Sequence, residues 1–61
     1  MANPKFVISK AANGEYKFVL KAGNGEIIAQ SETYKAKASA ENGIESIRKN
    51  APIAEIVDET V

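Results

Sequence analysis

Cysteine, histidine and tryptophan are all missing from this chain of 61 residues. Without cysteine there is no disulfide framework, no thiolate zinc site and no thiol nucleophile. Without histidine there is no imidazole base, no Ser-His pairing and no imidazole metal ligand. Charge of one sign is missing too. Eight Lys plus Arg balance eight Asp plus Glu, for a formal net charge of +0. That balance argues against a protein built mainly to bind nucleic acid, which needs a basic excess. No apolar run approaches the ~18 residues of a membrane helix, and no Asn-x-Ser/Thr sequon occurs. The start, Met1-Ala2-Asn3-Pro4-Lys5, lacks the charged, apolar and small-residue order of a secretory signal. A cytoplasmic protein with no membrane partner and no cofactor is therefore expected.

What is present describes an ordinary folded domain: 44% of the residues are hydrophobic and 26% charged. One domain over residues 1–61 is all the length allows. A chain of ~60 residues buries only ~60% of its unfolded surface and is marginal alone. With disulfides excluded and zinc all but excluded, oligomerisation is the remaining common support.

Ala12-Asn13-Gly14-Glu15 and Gly23-Asn24-Gly25-Glu26 each put Asn-Gly between apolar runs, the strongest short-range hairpin signal. Glycine supplies the positive φ of such turns. The flanking runs Lys5–Lys10, Tyr16–Lys21 and Ile27–Ser31 are then three strands of an antiparallel meander. A three-residue first loop with Gly14 in a bulge pairs Ile8 with Phe18 and Phe6 with Leu20. Phe6, Ile8, Tyr16, Phe18 and Leu20 then share one face, and Lys5, Val7, Ser9, Lys17, Val19 and Lys21 the other. A two-residue loop sets Lys10 opposite Lys17, a destabilising like-charge pair, so the bulged register is preferred. The second hairpin stays undecided, because adjacent Ile27 and Ile28 face opposite ways.

Ala40, Ile44, Ile47 and Ala51 recur at helical spacing. Ser39 caps this helix, or it begins a turn earlier near Ala36. Arg48 and Lys49 suit the negative end of its dipole, and Glu45 precedes them by three and four residues. Asn50 is a candidate left-handed C-terminal residue, and Pro52 ends the helix. A glycine inside a helix costs about 1 kcal/mol against alanine, so Gly43 implies close contact with the sheet or with a second helix. Ile53–Asp58 alternates as a last strand. The order is β-β-β-α-β, an α+β unit with the meander packed on one helix.

The runs Asn13-Gly14-Glu15-Tyr16-Lys17-Phe18, Asn24-Gly25-Glu26-Ile27-Ile28, Ser31-Glu32-x-Tyr34 and Lys37-Ala38-Ser39-Ala40-Glu41-Asn42-Gly43-Ile44-Glu45-Ser46-Ile47 resemble the YegP-like family of small bacterial domains. The resemblance spans about Lys5 to Asp58. It implies one repeat unit, paired with a second in a joined sheet whose C-terminal strands are exchanged. It brings no activity, substrate or catalytic residue.

Three sets of residues stand out. Ser31, Glu32, Tyr34, Lys35 and Lys37 form the most polar cluster, and Glu32, Tyr34 and Lys37 are the candidates for work on a small molecule. Against that, Ser31 or Glu32 caps a turn, Tyr34 packs on the sheet and the lysines are solvated. No third orienting group or oxyanion donor accompanies them, so no catalytic residue is assigned. Asp58 and Glu59 are strand neighbours that point apart, so no metal site is assigned either. Lys5, Lys17 and Lys21 form a basic face suited to phosphates, the alternative function being a weak nucleic-acid binder. That face lacks the aromatics that stack bases.

The third set is Ile53, Ile56 and Val57. Four strands ~4.8 Å apart outspan one helix of ~10–12 Å diameter, so one copy leaves apolar sheet uncovered. The short Asn50-Ala51-Pro52 hinge favours exchange of the last strand with a second copy. A homodimeric structural or protein-interaction module without catalytic activity is the reading.

Overall fold

A computed structural model describes residues 3–60. Met1, Ala2 and Val61 lie outside the described residues, and with them the first residues of the signal reading and both ends of the 1–61 domain.

Strands β1 (Lys5–Lys10), β2 (Tyr16–Lys21) and β3 (Ile27–Gln30) form one antiparallel sheet in the order β1-β2-β3. Helix α1 (Lys37–Asn50) packs on it and runs into a 3₁₀ turn at Ala51–Ile53. The first hairpin has the expected register, with Phe6 opposite Leu20 and Ile8 opposite Phe18. Its loop closes as a turn-plus-bulge. Ala11 N–H donates to the Glu15 carbonyl at 2.7 Å, Gly14 N–H donates to the Ala11 carbonyl at 2.9 Å, and Gly14 takes φ 84°. The second loop repeats this with Ala22, Glu26 and Gly25 at φ 89°. In both, the Asn side chain holds the turn, Asn13 Oδ1 accepting from Glu15 N–H and Asn24 Oδ1 from Glu26 N–H, each at 3.0 Å.

The second hairpin resolves the Ile27/Ile28 ambiguity with a bulge. Lys21 pairs with Ile27 and Leu20 with Ala29, which leaves Ile28 as the extra residue. The third strand also ends one residue earlier than expected, at Gln30 rather than Ser31. Ser31 N–H still donates to the Phe18 carbonyl at 2.9 Å, but the returning Phe18 N–H goes to the Ser31 hydroxyl, also at 2.9 Å. A side chain thus takes the place of a ladder carbonyl, and the regular strand stops there.

The helix starts at the earlier of the two expected positions, after an extended Ala36 that makes no side-chain cap. Among the described residues Phe18 and Ala40 are the buried hydrophobic ones, with Ile44 and Ile47 half-buried on the same helix as Ala40. At Gly43 the helix comes close to the sheet and to Tyr34: a Cβ there would stand 3.0 Å from the Tyr34 hydroxyl and 3.1 Å from Phe18 Cε2. Tyr34 stacks on Phe18 (ring centroids 6.3 Å, 7°), and Phe6 meets Phe18 edge-on (6.0 Å, 73°).

Two expectations at the C-terminal end are corrected. Asn50 is not left-handed; at φ −97° and ψ −34° it stays right-handed, and its side-chain amide donates to the Ser46 carbonyl at 2.8 Å. Pro52 ends α1 but sits in the first turn of the 3₁₀ segment, where its missing N–H is not needed. The strand expected at Ile53–Asp58 does not form either. A strand exists through its ladder, and within one copy this segment pairs with no other; Ile53 is in the 3₁₀ turn and the rest carries no regular structure.

Candidate functional site

The polar cluster at the end of β3 divides into structural and solvated members. The Ser31 hydroxyl is committed twice, accepting from Phe18 N–H and donating to the Glu32 carbonyl at 2.7 Å. Tyr34 re-pairs the chain with β2, trading backbone bonds with Tyr16 at 2.8 and 2.7 Å, and turns its ring inward onto Phe18. Glu32, Lys35 and Lys37 are exposed. Lys37 lies on the rim of an open groove of about 560 Å³ floored by Phe6 and Ile8, with Lys10, Tyr16 and Glu41 around it. Ser31, Glu32 and Tyr34 do not line that groove, so Lys37 alone of the candidates borders it.

Lys10 lies outside the candidate sets that the sequence offers, although the register alone opposes it to Tyr16. Its ammonium sits 5.5 Å above the Tyr16 ring, a cation–π contact at the groove mouth. The groove therefore has an apolar floor and a mixed rim: two lysines and one carboxylate.

The register of the first hairpin sets the three lysines of the candidate basic face on one side of the sheet. Lys5 stands directly opposite Lys21, and Lys17 opposite Ser9, with Val7 and Val19 between them. Phe6, Tyr16 and Phe18 fall on the other face. Gln30, opposite Val19, and Ile27, opposite Lys21, complete the lysine face on β3. Like charges placed directly opposite repel, so the Lys5–Lys21 pair is a local cost that its immediate ladder neighbours do not relieve. The one ion pair among the described residues, Arg48 with Glu45 at 3.3 Å, is on the helix.

Among the described residues the exchange candidates are the most exposed large apolar ones: Ile53 at 79%, Ile56 at 97% and Val57 at 73%. Beyond them, the Thr60 hydroxyl (2.6 Å) and N–H (2.9 Å) both donate to one Asp58 oxygen, holding that carboxyl below its ordinary value. Among the described residues no three His, Cys, Asp or Glu side chains gather as a metal site, and no helix is long and apolar enough to cross a membrane.

This arrangement matches known proteins closely. The family model described as a domain of unknown function, DUF1508, covers residues 11–58. The chain belongs to the DUF1508 family. Among its relatives, a UPF0339 protein of Agrobacterium fabrum is 57% identical over 92% of this chain and 90% of its own length. A UPF0339 protein of Acinetobacter baylyi is 70% identical over 75% of this chain, and the UPF0339 protein YegP of Yersinia pestis 60% identical over 85%. The chain spans less than half of those two relatives, 41% and 46% of their lengths. Two solution structures share the fold. One, from Haloferax volcanii, has a TM-score of 0.85 at 36% identity, covering 95% of this chain and 98% of its own. The other, from Agrobacterium tumefaciens, scores 0.79 at 53% identity, covering 93% and 92%. The YegP-like resemblance read from the sequence is thereby established, and the family is one of unknown function with no catalytic role attached.

Proposed function

We propose that this chain is one repeat unit of a cytoplasmic homodimer, a structural or protein-interaction module without catalytic activity, whose C-terminal segments are exchanged between copies. The observation that carries this reading is the imbalance between core and surface. Phe18 and Ala40 are buried, while Ile27, Ile28, Ile53, Ile56 and Val57 are all more than half exposed. Covering three such side chains contributes about 1.5–3 kcal/mol each, a large share of what so small a domain has. The edges of the sheet are the second support, since soluble proteins pair or cover a free strand edge. Relatives more than twice the length of the matched segment are the third, because a second unit within one chain would supply the same cover.

Sedimentation equilibrium at micromolar concentration tests the reading: a mass of two chains is expected, and a folded single chain of 6.5 kDa would refute it.

A further inference from the structure

The two free edges of the sheet are not equivalent. β3 has four residues, carries a bulge opposite Lys21 and breaks at Ser31, features that blunt an edge. β1 is a six-residue strand without interruption, and the apolar-floored groove lies beside it. Its sequence Lys-Phe-Val-Ile-Ser-Lys holds two bases and no acid. Residues 54–60, Ala-Glu-Ile-Val-Asp-Glu-Thr, hold three acids and no base. An edge that is basic and a tail that is acidic are complementary, and both belong to the same chain.

Alternation selects the seating. Setting the 97%-exposed Ile56 beside Ile8 on the helix side extends the row Ile8–Phe18, which is the core. If the segment runs antiparallel to β1, the other face falls into three rows. Glu59 meets Lys5, beyond which stands Lys21; Val57 meets Val7, beyond which stands Val19; and Glu55 meets Ser9, beyond which stands Lys17. Glu59 then supplies the opposite charge that the Lys5–Lys21 pair lacks. Glu55 and Lys17 flank the small Ser9 at two strand spacings, about 9.6 Å, and their long side chains meet above it. A parallel seating sets Ile53 beside Lys5 and Glu55 beside Val7, a mismatch in both rows. The weaker pair of the antiparallel seating is Asp58 beside Phe6, at the outer edge where the carboxylate stays in water.

We propose that Lys5, Lys17 and Lys21 are counter-charges for the acidic C-terminal segment of a second copy, seated antiparallel on the β1 edge with Glu59 beside Lys5. This rests on the exchanged-dimer reading and gives the basic face a partner within the protein itself.

Charge reversal tests it, with the dimer dissociation constant as readout at low and at physiological salt. Each Lys5–Glu59 contact occurs twice in a symmetric dimer, so Lys5→Glu or Glu59→Lys alone should weaken the dimer about tenfold or more. The double variant should return to within about threefold of wild type, and the exposed control Lys35→Glu should change nothing. Added salt should weaken the wild-type dimer and should hardly affect Lys5→Ala/Glu59→Ala. Single variants that dimerise like wild type, or a double variant weaker than either single, overturn the seating while leaving the dimer standing. A Lys5→Glu variant that loses oligonucleotide binding but keeps its dimer gives the face to nucleic acid and likewise overturns it. A monomeric wild type overturns both the seating and the dimer.

Discussion

Replacing Gly43 by alanine separates two opposing effects whose sizes the structure sets. In an exposed helix interior the change stabilises by about 1 kcal/mol, because alanine restricts the unfolded backbone and glycine does not. Here the new methyl stands 3.0 Å from the Tyr34 hydroxyl oxygen and 3.1 Å from Phe18 Cε2. Carbon contacts prefer about 3.5–4.0 Å, so one side must give way. Phe18 is 4% exposed and is held between the Phe6 edge and the Tyr34 face, so it has little room. Overpacking of this kind typically costs about 1–3 kcal/mol. Strain wins: Gly43→Ala should destabilise by about 1 kcal/mol net, and Gly43→Leu by more. For a domain of this size that is about 4–8 °C in Tm, measured by thermal and urea unfolding at one fixed protomer concentration. Tyr34→Phe removes the nearer of the two clashes but not the other, so it should recover only part of the loss in a double-mutant cycle. A Gly43→Ala protein about 1 kcal/mol more stable than wild type would refute the close helix–sheet contact.

Ser31→Ala leaves the half-buried Phe18 amide without its acceptor and should destabilise by about 1–3 kcal/mol in urea unfolding, whereas Ser31→Thr should retain most of the bond. Truncation after Pro52 removes Ile53, Ile56 and Val57, and circular dichroism with sedimentation should find it unfolded or aggregating; a stable folded monomer would contradict the exchange. Storage at mildly alkaline pH should deamidate Asn13 and Asn24 before Asn42, which α1 holds in the wrong geometry. Both hairpin sites should react slowly, because the attacking Gly14 and Gly25 amides already donate to Ala11 and Ala22; peptide mapping reads the order, and faster loss at Asn42 would contradict the helix.

The first hairpin was fully legible because independent signals agreed. Asn13-Gly14 named the loop, and avoiding a Lys10–Lys17 pair chose the register that places Phe18 in the core. The helix was legible from its apolar spacing and Pro52, and Gly43 correctly announced a close approach. The third strand was less so: adjacent Ile27 and Ile28 mark a break in the alternation without saying how it resolves, and a serine hydroxyl replacing a ladder carbonyl leaves no mark at all. Asn50 misled because its amide had a nearer partner, the Ser46 carbonyl. The apolar alternation of Ile53–Asp58 predicts a strand, but alternation describes two faces and does not supply a neighbour. The candidate polar cluster shows the same limit. Residues adjacent in sequence at the end of β3 were split by the turn there, with Ser31 and Tyr34 drawn to Phe18 and Glu32, Lys35 and Lys37 left to solvent.

In the proposed exchange a second copy covers this sheet with its C-terminal segment. Isotope-filtered NOE spectroscopy on a dimer of one labelled and one unlabelled chain reads that contact between copies. The methyl groups of Ile53, Ile56 and Val57 should show contacts across the two copies, Ile56 to Ile8 and Val57 to Val7. Contacts from these methyls within one chain alone, or none at all, would contradict it.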